Sequence, residues 1–294
     1  MQIIRVDGLT KAYGDLVAVD HISFTVEKGS MLGFLGVNGA GKSTVINMLS
    51  TLLRPDEGTV HICGLELGKD DHQIRSRIGI VYQQNVLDDL LTVKENLLCR
   101  GILHGATKGE AQAQLARLSQ ILGLEELLKR RYKYLSGGQK RRCEIAAALM
   151  HAPQVLFLDE PTTGLDPATR KDVWDIIQRL RREEDMTVFL TTHYMEEAAT
   201  ADQIIILDKG RIITSGTPFQ LKERYAKDRL RIYHDGALPL AGRPTAYGTE
   251  LELDRTLDAL AVLEPIKDQI SGFEVIQGDM DDVFLNAVGK ALEG

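Results

Sequence analysis

The chain reads as an α/β fold with a mostly parallel central sheet, and three features carry that reading. Short apolar runs of strand length alternate with segments of helical periodicity. One such run, "MLGFLG", ends in glycine and feeds the loop "GVNGAGKST" at 36–44. Two later runs, "QVLFLDEP" and "MTVFLTTH", have the unbroken apolar pattern of buried strands, with the helical segment "ATRKDVWDIIQRLRREE" between them.

In chain order, "IIRVDGLT" and "HISFTVEKG" alternate apolar with polar residues, as half-buried strands of a small antiparallel sheet do. The helix expected after the glycine loop, "STVINMLSTLL", stops before Pro55, and "GTVHICG" and "RIGIVYQQ" are two further strands. From about Thr92 to Leu128 the chain is mostly helical; "KGEAQAQLARLSQILGL" has apolar residues at helical spacing and Gly123 as its stop. Ser136 is the N-cap candidate of a helix running through "QKRRCEIAAALMH" to Pro153, giving a helical subdomain at about 92–150. "QIIILDKGRIITSGT" is expected to form a hairpin around Lys209-Gly210.

Near Tyr225 the character changes. "RLRIYHDG" and "GTELEL" are expected strands joined by a Pro/Gly-bearing connection at 236–248. A helix over "TLDALAVLEPIKDQI", the segment "GFEVIQG" and a last helix "DDVFLNAVGKAL" complete the chain. The expected organisation is a large domain over 1–224 and a small α+β appendage over 225–294.

The 294 residues are 44% hydrophobic and 26% charged, ordinary for a globular chain with a sizeable core. A net charge of −7 counts against a general nucleic-acid surface, so no nucleic-acid partner is expected. No apolar run approaches the ~18 residues that span a bilayer. The start "MQIIRVDGLTKAYG" lacks the basic and apolar regions of a signal peptide. The expectation is a cytoplasmic protein whose membrane role comes through a partner. Cys63, Cys99 and Cys143 have no metal-like spacing and an odd count, so they are expected reduced and packed.

The loop from Gly36 to Ser43 matches G-x-x-x-x-G-K-[ST]. Glycines at Gly36, Gly39 and Gly41, with Val37, Asn38 and Ala40 between them, let successive N–H groups curl around phosphate oxygens; the helix beginning near Thr44 adds its positive end. Lys42 is placed for the β/γ-phosphates and the Ser43 hydroxyl for Mg2+. The apolar strand ending in Asp159 presents a carboxylate to the same ion, and Glu160, one residue on, is placed to orient or deprotonate water. Together these residues predict a Mg-dependent NTPase.

A second glycine stretch, "LSGGQ" at 135–139, lies between that loop and "VLFLDEP". It resembles the signature sequence of ABC ATPases, the nucleotide-binding subunits of ABC transporters, and the resemblance covers about 1–224. It implies a P-loop NTPase of the ABC type: a mostly parallel sheet core, a small antiparallel β subdomain and a helical subdomain. It implies that Tyr13 in "KAYG" stacks on adenine, and that the Q-loop glutamine is Gln83, favoured over its neighbour Gln84, joining the metal shell and sensing the membrane partner. It also implies a D-loop at "GLD" containing Asp166, and a switch histidine, His193, on the γ-phosphate. By the same resemblance, two subunits form a head-to-tail homodimer around ATP. Ser136, Gly137, Gly138 and Gln139 of each then cap the nucleotide held by the other, and hydrolysis drives a multi-span transmembrane permease. "GDMDDVFLNAVG" resembles the ending of drug-, polysaccharide- and lipid-type exporter subunits of the daunorubicin-resistance kind. The competing expectations are a soluble ABC-type ATPase in translation, DNA repair or cofactor assembly, and a non-hydrolysing ATP-gated scaffold.

Overall fold

The computed structural model describes residues 1–234 and 240–293. It divides into two compact units, Met1–Thr214 and Ser215–Gly294. The division falls upstream of the expected 224/225 boundary, because the helix Pro218–Tyr225 packs on the C-terminal helix and belongs with the smaller unit.

In the larger unit, Gln2–Tyr13 (β1) and Leu16–Glu27 (β2) form a long antiparallel ribbon. Met31–Leu35 (β3), buried at every position, leads into the glycine loop and then Lys42–Leu49 (α1). The helix stops short of the expected "STLL". Thr51 takes a left-handed φ of 65°, and the N–H groups of Leu52 and Leu53 turn back to the Asn47 carbonyl. Glu57–Ile62 (β4) and Leu65–Glu66 (β5) complete a four-stranded sheet ordered β2-β1-β4-β5.

After Asp71–Arg75 (α2) and Ile78–Val81 (β6) comes the helical part, Val93–Leu103 (α3), Lys108–Leu122 (α4) and Gly137–Leu149 (α5). Each of these three helices starts at a reciprocal capping box: Thr92 with Glu95, Thr107 with Glu110, and Ser136 with Gln139. Gly123 ends α4 in the left-handed conformation that the sequence led one to expect. On α3 the buried positions are Val93, Asn96, Leu97 and Gly101, which leaves Cys99 on the opposite side and exposed, against the expectation that it is packed. Cys143 is buried, and burial raises its thiol pKa to about 12.

Val155–Asp159 (β7), Pro167–Glu184 (α6), Thr187–Thr192 (β8), Met195–Ala198 (α7), Gln203–Asp208 (β9) and Arg211–Gly216 (β10) finish the six-stranded sheet, ordered β10-β9-β3-β8-β7-β6. Its four pairings from β9 through β3, β8 and β7 to β6 are parallel. The β9–β10 hairpin turns at Lys209 and Gly210, both with positive φ. Parallel register sets Asp159 level with Thr191, and Leu35 level with Thr192. The glycine loop, the Asp159-Glu160 pair and His193 therefore all leave the sheet at the carboxyl ends of its strands, where such sheets bind ligands. Phe24, Phe34, Phe157 and Phe189 form the centre of the core, with ring centroids 5.3–6.1 Å apart.

In the smaller unit, Pro218–Tyr225 (α8) precedes Asp228–Tyr233 (β11), Arg243–Thr245 (β12) and Gly248–Leu253 (β13). Asp258–Leu263 (α9), Gly272–Ile276 (β14) and Met280–Glu293 (α10) follow, and the sheet order is β12-β13-β11-β14. The expected helix over 256–270 is interrupted: Pro265 cannot continue the α-helical ladder, so Glu264–Gln269 tightens into a 3₁₀ turn. Part of the expected 236–248 connection lies outside the described residues; the rest contains β12, whose Pro244 is tolerated because the strand is an edge. Leu230, Ile232, Leu253, Leu263 and Ile266 form this unit's own core.

The aromatic centre gives a direct test. Phe189 is fully buried against three other rings. Phe189→Ala is expected to destabilise the larger unit by about 3–5 kcal/mol. Urea unfolding followed by fluorescence of Trp174 reads this unit alone, since the chain has one tryptophan and it lies on α6.

Candidate active site

The glycine loop wraps its own lysine. Lys42 is 5% exposed, and its ammonium donates to the carbonyls of Gly36 at 2.7 Å and Val37 at 3.3 Å. Burial lowers the Lys42 pKa, with the nearby carboxylates of Glu160 and Asp159 opposing. Two glycines are required by the loop's surroundings. A Cβ on Gly36 would lie 2.5 Å from the Leu207 carbonyl, and Gly41, at φ 108°, presses on the Ala18 carbonyl of β2. The Gly210 N–H of the β9–β10 turn holds the Ala40 carbonyl at 2.9 Å. Val37, Asn38 and Gly39 form the exposed crest; Ser43 is exposed and Thr44 half-buried in the first turn of α1.

Facing this loop are the acids. Asp159 accepts from Thr191 Oγ1 at 2.6 Å, while burial raises its pKa. Glu160 draws side chains from several segments. Its Oε1 lies 3.7 Å from Lys42 Nζ; its Oε2 accepts from Gln83 Nε2 at 3.3 Å and from Thr163 Oγ1 at 3.1 Å. His193 Nδ1 lies 3.3 Å from the same oxygen but off the line of a hydrogen bond, and it has no hydrogen-bond partner among the described residues. Of the two adjacent glutamines, Gln83 is the one that reaches Glu160. The structure thus brings together Lys42, Gln83, Asp159, Glu160 and His193.

Tyr13 stands elsewhere, half-exposed at the tip of the β1–β2 ribbon, with Lys11 Nζ 5.9 Å from its ring centroid. Ser43, Gln83 and Asp159 together offer oxygen donors only, the set that a hard ion such as Mg2+ takes. Among the described residues no group of three or more His, Cys, Asp or Glu side chains could hold a metal. An ion there would complete its shell with phosphate and water.

Compared with known proteins, the ABC transporter family matches residues 19–163. The chain is 39% identical to the daunorubicin/doxorubicin resistance ATP-binding protein DrrA of Streptomyces peucetius, across 97% of this chain and 92% of that one. It belongs to the ABC transporter family. It is also 36% identical to the Nod factor export ATP-binding protein I of Burkholderia lata, across 96% of each. Among solved structures, a dimeric ATP-binding cassette in a post-hydrolysis state with ADP and Pi matches 73% of this chain and 98% of its own, with 30% identity and a TM-score of 0.67. No helix among the described residues of this ABC-family chain is long and apolar enough to cross a membrane.

The second glycine stretch packs against Leu165 and Thr169 of its own chain. Ser136 Oγ accepts from Gln139 N at 3.4 Å, and Gln139 Oε1 accepts from Ser136 N at 3.1 Å. Ser136 and Gly137 are exposed and Gly138 is buried. Asp166 caps α6: its carboxylate accepts from Thr169 N at 3.1 Å and from Thr169 Oγ1 at 2.6 Å, which lowers its pKa.

Sequence reasoning missed several residues in this ABC fold. Thr191 and Thr163 are the hydroxyls that grip Asp159 and Glu160. A buried carboxylate, Glu197, takes the hydroxyls of Thr162 and, at 2.7 Å, of Thr192, on either side of the site. Arg141 donates to the carbonyls of Tyr82, Asp159 and Pro161. For Thr191 and Thr192 the signal lay in polar side chains within an otherwise apolar strand, "VFLTTH".

The contact between Gly138 and Thr169 of α6 is tight enough to test. A Cβ on Gly138 would overlap Thr169 Cγ2, and turning that side chain aside would break its bond to Asp166. Gly138→Ala is expected to cost about 1–3 kcal/mol. Adding Thr169→Ser, which removes the methyl and keeps the hydroxyl, should restore the Trp174 unfolding midpoint.

Proposed function

We propose that this chain is a Mg-dependent ATPase subunit of an exporter, working as a head-to-tail homodimer that closes around two ATP molecules and drives a separate multi-span permease. The observation that carries the catalytic reading is the convergence of Lys42, Gln83, Thr163 and His193 on the Glu160 carboxylate. In this reading Glu160 accepts the proton of the attacking water, and His193 beside it is assigned to the γ-phosphate. Lys42 exchanges its two loop carbonyls for the β/γ-phosphates. Ser43, Gln83 and Asp159 would hold Mg2+, which would supply charge neutralisation at the phosphate oxygens. Tyr13, exposed beside the loop's supporting ribbon, stacks on adenine, and Asp166 orders the D-loop at the dimer contact.

Ser136, Gly137, Gly138 and Gln139 are assigned to the partner copy's nucleotide. They stand at the start of α5, where unsatisfied N–H groups favour an anion. The dimeric post-hydrolysis cassette among the relatives supports this arrangement. Export is supported by two relatives named for drug resistance and for Nod factor export. A cavity of about 180 Å³ beside Gln83, lined by Tyr82, Val86, Arg100, His104, Ala147 and His151, supports the permease as partner. A segment seated there would bear on the chain that carries Gln83. The subunit would then sit on the cytoplasmic face of the membrane through the permease.

Glu160→Gln retains size and hydrogen bonding but loses the basic oxygen. Its turnover is expected to fall on the order of 10²–10⁴-fold, and with ATP-Mg it should elute as a dimer in size-exclusion chromatography. Wild-type phosphate release by this variant would remove the catalytic assignment.

Gly137→Asp separates the two phosphate grips. An added Cβ would lie 3.3 Å from Leu165 Cδ2, a tight contact with the far end of a flexible side chain that yields by a few tenths of an ångström. Fluorescent-ATP affinity of the monomer should stay within about twofold, while closure and hydrolysis are lost because the carboxylate meets γ-phosphate only in the closed pair. Weakened monomer binding, as deep as that of Lys42→Ala, would mean that the loop serves its own chain's nucleotide.

A further inference from the structure

Arg141 lies one turn into α5, is 5% exposed, and belongs to none of the nucleotide motifs. Its guanidinium donates to backbone carbonyls of two separate segments: Nε to Pro161, Nη1 to Tyr82, and Nη2 to Asp159 at 3.3 Å. Asp159 precedes Glu160 and Pro161 follows it. Tyr82 precedes Gln83, whose amide donates to the Glu160 carboxylate. Arginine suits this task because its planar fork carries five donors in fixed directions. Burial lowers its pKa to about 10, so it remains a cation at neutral pH.

The backbone it grips needs holding. Glu160 has a φ of 45°, a left-handed conformation that a non-glycine residue adopts only at a cost in free energy. On the other side of the peptide, the Glu160 N–H is held by Thr191, with the carbonyl at 3.0 Å and Oγ1 at 3.3 Å. Thr191 fixes the residue's amide, and Arg141 fixes the carbonyls before and after it.

We propose that Arg141 is a positioning residue for Glu160: from the signature helix it sets the direction of the carboxylate and, through Tyr82, of the Gln83 amide. The proposal rests on Glu160 being the proton acceptor. Arg141 acts through the carbonyls of the residues before and after Glu160 and through that of Tyr82, not on the carboxylate itself. A displacement of about 1 Å at such a group can cost on the order of 10²-fold in rate. The helix that presents Ser136 and Gly137 thereby also sets the geometry of its own chain's catalytic carboxylate.

The test is a double-variant cycle in the full-length subunit. Arg141→Lys keeps the charge but cannot span all three carbonyls. Its kcat should fall about 10–100-fold, with fluorescent-ATP affinity within about twofold of wild type. In the Glu160→Gln background, adding Arg141→Lys should change the residual rate by less than about twofold, because the group it positions is already disabled. The ATP-Mg dimer of Glu160→Gln should survive the second change. Unchanged kcat, an additive loss of rate, or loss of that dimer each overturns the proposal, the last two assigning Arg141 to the signature loop or to general stability. If Arg141→Lys fails to give the native circular dichroism spectrum, Arg141→Gln is carried through the same cycle. If neither folds, Arg141 is a folding residue and the positioning role falls. A failure of the underlying reading shows separately, as wild-type turnover in Glu160→Gln alone.

Discussion

Two adjacent carboxylates at the end of a buried strand impose the constraint around which the larger unit is arranged. Asp159 and Glu160 repel each other, and burial works against the charge on Asp159. The compensations come from every neighbouring segment. Lys42 supplies the cation from the glycine loop, Thr191 a hydroxyl from the adjacent strand, Gln83 an amide from the end of β6, and Arg141 a guanidinium from α5. Each donor is delivered by a different element, so the site exists only when the sheet, the glycine loop and the helical part are in register together. Parallel strand order makes this possible, because β3, β7 and β8 all end on the same edge.

Much of this was legible in the chain itself, and the reasons are local. "GVNGAGKST" declares itself because the backbone must curl, and only glycine tolerates the Leu207 carbonyl at Gly36 and the φ of 108° at Gly41. Ser136 and Gly123 are visible because helix ends need caps that few residue types supply. Arg141 was invisible for the opposite reason. Its partners are distant in sequence and are backbone carbonyls, which leave no mark on residue identity. The break at Pro265 was within reach of the sequence, since proline in the interior of a helical pattern already announces it. The exposure of Cys99 was not, because it depends on which side of α3 meets its neighbours.

The smaller unit shows where function is less readable. Its sheet has one apolar face, with Leu230, Ile232 and Leu253 covered by α9 and the following 3₁₀ turn. Its other face alternates charge: Arg231 donates to Glu250 at 2.9 Å on one neighbouring strand and to Glu274 at 3.4 Å on the other, and Arg229 reaches Asp282 of α10 at 3.4 Å. Cross-strand pairs of this kind satisfy one another and fix strand register. They give the unit a reason to fold without giving it a chemistry, in contrast to the side chains gathered on Glu160 in the larger unit.

The capping box at Ser136 has a chemical polarity of its own. The Ser136 oxygen and the Gln139 side-chain oxygen both face inward as acceptors, each taken by a backbone N–H of the other residue. What the two side chains still have to offer is chiefly hydrogen: the hydroxyl proton and the amide NH2, beside the unshared N–H groups of the first turn. Each oxygen keeps one further lone pair, but the hydrogens of both side chains are uncommitted to the box. A motif built this way offers more donors than acceptors to whatever approaches it. A bias toward anions then follows from which atoms the helix spends on starting itself, with no net positive side chain required at that point.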